Sequence, residues 1–138
     1  MLEMEQIIYL VDDDDDDCFL AQRAINPHIN CVLKIFHNGQ ELINYLTAHP
    51  ALPLPTLILL DLNMPLLNGF ETLGFLKSHP VWTQIPVVVL TTSSDVADRE
   101  KSFDLGAEAF LTKPTNYQTL SQVLASVSSC WRKMFSPS

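Results

Sequence analysis

The chain has 138 residues and a mass of 15.5 kDa, the size of one domain. Hydrophobic residues make up 47% and charged residues 17%, which excludes wholesale disorder and supplies a sizeable core. The net charge is −8, and a pI near 4.7 argues against direct nucleic-acid binding. Six of the acids form one block, Asp12 to Asp17, so −6 of the −8 is local and −2 remains for the rest. No apolar run approaches the ~20 residues that cross a bilayer. The start, Met1-Leu2-Glu3-Met4-Glu5, is acidic where a secretory signal is basic.

Short apolar runs alternate with helical patterns along the chain. The strands are expected at Ile7–Val11, Cys31–Phe36, Leu57–Leu60, Val87–Leu90 and Ala109–Leu111. Most are continuously hydrophobic, as strands of a parallel sheet covered on both faces are. Lys34 marks its run as an edge strand. Between the strands, Asp17 is expected to cap a helix from Cys18 to about Asn26, stopped by Pro27. Asn38-Gly39 opens a second that ends before Pro50, and Asn68-Gly69 opens a third that runs to Pro80. Ser94 or Asp95 caps a fourth, with Gly106 past its end. The last carries an apolar stripe at Leu120, Val123, Leu124, Val127, Trp131 and Met134. Five strand–helix pairs predict an α/β fold, a (βα)5 doubly wound parallel sheet.

The polar residues fall where these strands end: Asp12-Asp13, Asp61, Thr91 and Lys113-Pro114. The carboxyl ends of parallel strands share one edge, where ligands bind at the topological switch point. Three carboxylates, a hydroxyl and an ammonium would therefore converge. Acids hold a hard divalent cation, and cation and lysine together neutralise phosphoryl oxygens. Cysteine and histidine add no second site. Cys18, Cys31 and Cys130 match no metal spacing and read as reduced thiols of a cytosol, while the four histidines read as surface or loop residues. The aspartates before Cys18 are expected to raise the pKa of its thiol.

These motifs, in this order, resemble the receiver domains of two-component response regulators. The likeness rests on the acidic pair, on Leu59-Leu60-Asp61-Leu62-Asn63-Met64-Pro65 with Asn68-Gly69, on Val89-Leu90-Thr91, and on Lys113-Pro114. It implies a flavodoxin-like strand order 2-1-3-4-5 and a single receiver over 1–138 with no output domain. The Val89–Ser93 stretch looks like short stand-alone receivers, some of which serve phytochrome-type or hybrid kinases. By this resemblance Asp61 is the phosphoacceptor, and Asp13 ligates Mg²⁺ directly while Asp12 acts mainly through water. Asn63 supplies a backbone carbonyl to the metal, Thr91 and Lys113 bind the phosphoryl group, and Phe110 is the switching aromatic. The Lys113–Pro114 peptide is expected to be cis.

The aspartate run leaves the register of the pair open; Asp12 and Asp13 are chosen because the apolar strand stops at Val11. Asp14 to Asp17 read as a solvated loop and helix start, with one of them touching metal or tuning a partner interface as the alternative. Thr92 is the register alternative to Thr91, and a static core ring is the alternative for Phe110. The implied activity is transfer from a kinase's phosphohistidine to Asp61, assisted by Mg²⁺, in the cytoplasm, with output through protein contacts. The partners implied are a histidine kinase or phosphotransfer protein and a downstream protein target; the late apolar residues Trp131, Met134 and Phe135 read as cover for the core, with homodimerisation through the last helix as the alternative. Two rivals are an aspartate-nucleophile phosphatase and a receiver used only for protein contacts. The phosphatase signature Asp-x-Asp-x-Thr fails at Asn63 and Pro65. A calcium-binding EF-hand loop starting at Asp12 fails at Asp17 and Arg23.

Overall fold

The computed structural model describes residues 6–25 and 31–135, with side chains as far as residue 126. Five strands, β1 (Gln6–Val11), β2 (Cys31–Phe36), β3 (Leu57–Leu60), β4 (Val87–Thr91) and β5 (Ala109–Thr112), alternate with five helices. These are α1 (Asp15–Ile25), α2 (Gly39–Ala48), α3 (Gly69–Ser78), α4 (Val96–Asp104) and α5 (Tyr117–Phe135). The strands pair in parallel in the order 2-1-3-4-5, as the resemblance implies.

The two-residue period of a strand sorts the core into two layers. Tyr9, Val11, Ile58, Leu60, Val87 and Val89 face one way, against Leu42 and Leu46 of α2 and Leu73 and Leu76 of α3. Ile8, Leu10, Leu57, Leu59, Val88 and Leu90 face the other, against Ala21 and Ile25 of α1 and Leu120 and Leu124 of α5. Both faces of β1, β3 and β4 are therefore covered, which is why these runs carry no polar alternation. β2 lies at the sheet edge with Lys34 exposed, its ammonium over the rings of Phe36 and Tyr45.

Helix starts follow the expected caps except at α1. Asn38 accepts from Glu41 N, Asn68 and Glu71 form a reciprocal capping box, and Asp95 accepts from Ala97 N. Gly106 stands past the C-cap of α4 with φ +105°, a conformation that glycine takes without strain. α1 begins at Asp15, three residues before Cys18, and its cap is Asp14 rather than Asp17. The Asp14 carboxylate accepts from Asp17 N at 2.9 Å, and its carbonyl from Cys18 N at 3.0 Å. Any of the aspartates has cap chemistry; Asp14 takes the role because Asp12 has already turned the chain out of the sheet. The expected stop at Asn26-Pro27 lies outside the described residues, as do the side chains of Val127, Trp131 and Met134 on α5.

Candidate functional site

The site is assembled where β1, β3, β4 and β5 run out. Leaving β1, Asp12 still belongs to the sheet, its N–H donating to Phe36 O at 2.9 Å. Its Oδ1 accepts from Asp14 N at 2.9 Å, an Asx turn that lifts the following aspartates into solvent. Asp12 is thereby buried to 1% exposure, while Asp13 is exposed. Asp61 leaves β3 in the same way, with its N–H donating to Val11 O at 3.0 Å. Its Oδ1 accepts from Asn63 N at 3.3 Å. Leu62 and Met64 are buried beside it and pin the loop to the core.

Carboxylate oxygens of Asp12, Asp13 and Asp61 all lie within 4.8 Å of one another. Asp12 and Asp13, the first two of the aspartate run, are the pair that stands beside Asp61. Three hard oxygen donors that close together are the set that a hard divalent cation takes. On the other side stands Lys113, whose buried ammonium donates to Asp12 Oδ2 and to Asp17 Oδ2, each at 2.7 Å. It lies 3.5 Å from Asp61 Oδ2.

Burial strips water from these charges, and the charged forms respond differently. Burial pushes the Asp12 carboxyl up to about 6, outweighing the hydrogen bond and charge of Lys113, which pull it down. Burial alone would lower the pKa of Lys113, but Asp12, Asp17 and Asp61 together hold the ammonium above its ordinary value. The lysine is a fixed positive charge at any physiological pH.

Thr91 is the last residue of β4 and fully buried, with its hydroxyl oxygen accepting from Ser93 N at 3.3 Å. Its neighbour Thr92 is exposed. Thr91 O accepts from Lys113 N at 2.6 Å, so the exits of β4 and β5 are joined directly. Phe110 is not at the carboxylate cluster. It is buried in the core layer under α2 and α3, paired in register with Val89. The Lys113–Pro114 peptide is trans, against the expected cis form; no described peptide bond is cis. Trans is the lower-energy isomer of an X–Pro bond, and the lysine ammonium reaches both of its aspartate partners in this conformation.

Sequence reasoning missed Asp17, placing it in a solvated helix start. The cap at Asp14, which the run of identical aspartates does not single out, puts Asp17 at the third helical position, next to the buried Cys18. That thiol is pushed up to about 12 by burial, then by the charges of Asp12, Asp15 and Asp17.

Comparison with known proteins agrees with this geometry. The response regulator receiver domain family matches residues 8–125. Response regulator Rcp1 of a Synechocystis species is 35% identical over 130 residues, covering 91% of this chain and 88% of its own. The probable methanogenesis regulatory protein FilR2 of Methanothrix harundinacea is 30% identical, covering 95% and 88%. Among solved structures, the Mn(2+)-bound form of Rcp1 superposes with a TM-score of 0.88 at 33% identity, covering 96% of this chain and 99% of that one. The phosphorylated cyanobacterial phytochrome response regulator RcpA reaches 0.90 at 34%, covering 97% and 99%. With its fold, its cluster of strand-end acids and these relatives in agreement, the chain belongs to the response regulator receiver domain family.

Proposed function

We propose that this receiver takes a phosphoryl group onto Asp61 from the phosphohistidine of a histidine kinase or phosphotransfer protein. One observation carries the reading: Asp61 stands within 4.8 Å of Asp12 and Asp13 and 3.5 Å from the Lys113 ammonium. A carboxylate so placed is a nucleophile flanked by groups that manage phosphoryl charge. Its oxygen bonds to phosphorus as the phosphorus–nitrogen bond of the donor breaks. Lys113 pairs with the anionic product, and the Thr91 hydroxyl turns to donate to a phosphoryl oxygen. Asp12, Asp13, Asp61 and the Asn63 carbonyl are the residues to hold Mg²⁺, which supplies further neutralisation of phosphoryl charge when bound. Phe110, buried on β5 in register with Val89, repacks as Thr91 and Lys113 move, and the surface of α4, β5 and α5 reports the change to a downstream protein.

In this reading the chain acts in the cytoplasm as a phosphorelay component, and signals by protein contact rather than by catalysis. Among the described residues no helix is long and apolar enough to cross a membrane. Incubation with Mg²⁺ and a small acyl-phosphate donor, followed by intact mass, tests the proposal. One added phosphoryl group is expected, absent in Asp61→Asn and absent with chelator. Uptake by Asp61→Asn at the rate of the unsubstituted chain refutes Asp61 as acceptor.

A further inference from the structure

The proposed reaction employs Asp12, Asp13, Asp61, Thr91 and Lys113 and leaves Asp17 without a task. Yet Asp17 Oδ2 stands as close to the Lys113 ammonium as Asp12 does, and closer than Asp61. An ammonium has three N–H donors, and here two are committed to Asp12 and Asp17. The 3.5 Å to Asp61 is beyond the ~2.7–3.2 Å of a good N–H···O bond. Asp12 and Asp17 hold the lysine with equal bonds, and of the two only Asp17 belongs to neither the proposed metal set nor the acceptor.

We propose that Asp17 is a positioning residue that competes with the phosphoryl group for the Lys113 ammonium, and so limits how tightly the phosphorylated site is held. This rests on the reading of Asp61 as phosphoacceptor. Asp17 can follow the lysine only within the reach of one short side chain, because its backbone is held in the first turn of α1 by the Asp14 cap. The Lys113 and Asp17 side chains are only 4% and 16% exposed, so water screens the pair weakly. Charge acts in the same direction as geometry. Asp17 and Asp61 both lie within 3.5 Å of one ammonium, so a phosphoryl group built on Asp61 brings its negative charge towards that of Asp17. Removing the Asp17 charge frees the lysine from one of its two acid partners and relieves this repulsion together.

Asp16 supplies a charge-matched control: it is the neighbouring residue of the same helix turn, exposed to solvent. The test is calorimetric titration of fluoroberyllate, an inorganic mimic of the acyl phosphate, at saturating Mg²⁺. Asp17→Asn is expected to bind it roughly three- to tenfold tighter than the unsubstituted chain, the scale of one partly buried charge contact. Asp16→Asn is expected to stay within about twofold, as exposed charges do. Unchanged or weaker binding by Asp17→Asn overturns the inference, and so does equal tightening by Asp16→Asn. No binding by the unsubstituted chain overturns the phosphoacceptor reading, and this inference with it. A second measurement needs no substitution: the side-chain carboxyl ¹³C resonance of Asp17 is expected to move on fluoroberyllate addition while that of Asp16 stays. An Asp17 resonance that stays put overturns the competition even if Asp17→Asn does not fold.

Discussion

Gly69 presses so closely on Asp61 that a β-carbon at residue 69 would stand 2.3 Å from the Asp61 carbonyl oxygen and 2.5 Å from Leu62 Cα. The start of α3 is laid backbone to backbone on the loop that carries the candidate acceptor, with Gly69 N donating to Leu62 O at 3.0 Å. Neither neighbour is a flexible side-chain tip, so any larger residue must displace the loop. Gly69→Ala is expected to lower stability by about 1–3 kcal/mol and to reduce phosphoryl uptake from a small donor, although no charged group is altered. Denaturant midpoints and intact mass check the two effects; a variant unchanged in both would contradict the close approach.

The burial of Asp12 has a pH signature in metal-free protein. Its carboxyl has an ordinary value of 3.8 and is raised to about 6 in the fold. Between those values the folded chain holds a proton that the unfolded chain has released. The contribution to stability is therefore complete below about 4 and lost as pH rises through about 6. In chelator, the melting temperature of Asp12→Asn relative to the unsubstituted chain is expected to climb between about pH 4 and pH 7. A difference that stays flat across this window would show that Asp12 titrates like a surface acid.

Leu66, in the loop that follows Asp61, has φ +64° and is 80% exposed. A branched side chain is strained in this left-handed region, and so much exposure returns little burial. Leu66→Gly is expected to stabilise the fold by about 0.5–1 kcal/mol, strain relief outweighing the entropy that glycine adds to the unfolded chain. Chemical denaturation reads the change directly, and a loss of stability would mean that the side chain has packing value which its exposure conceals.

Cys18 is expected to be inert in the native state. The residue is 5% exposed, and its thiol donates to Asp12 O at 3.4 Å and is pushed up to about 12 by burial. Iodoacetamide at mildly alkaline pH should label the Cys18 peptide only after denaturation. Rapid labelling of the folded chain would show that α1 opens easily at its first turn.

How much of this could be read from the residues alone depended on whether one side chain or several decide each feature. The sheet was legible because β1, β3 and β4 are apolar on both faces, a pattern that few other environments produce. The convergence of Asp12, Asp61 and Lys113 was legible because strand ends of a parallel sheet meet at one edge. The start of α1 was not, since six identical residues leave no local contrast. Only the turn made by Asp12 through Asp14 N decides which of them caps the helix. The partner of Lys113 on α1 was hidden for the same reason: where the helix starts decides which of the identical aspartates meets the lysine, and that one is Asp17. The trans Lys113–Pro114 peptide shows the limit of carrying a family habit to one chain.

The α4 helix buries one residue, Ser102, whereas α3 buries Gly69, Thr72, Leu73 and Leu76. Little apolar area therefore opposes its opening, and its backbone amides should trade protons for deuterium sooner than those of α3. Ser93 ties this loosely seated helix to the strand exits: its hydroxyl meets Asp98 at 2.6 Å and its carbonyl accepts from the Thr112 hydroxyl at 3.0 Å. A tug at either strand end thus reaches a helix with little anchorage to resist it.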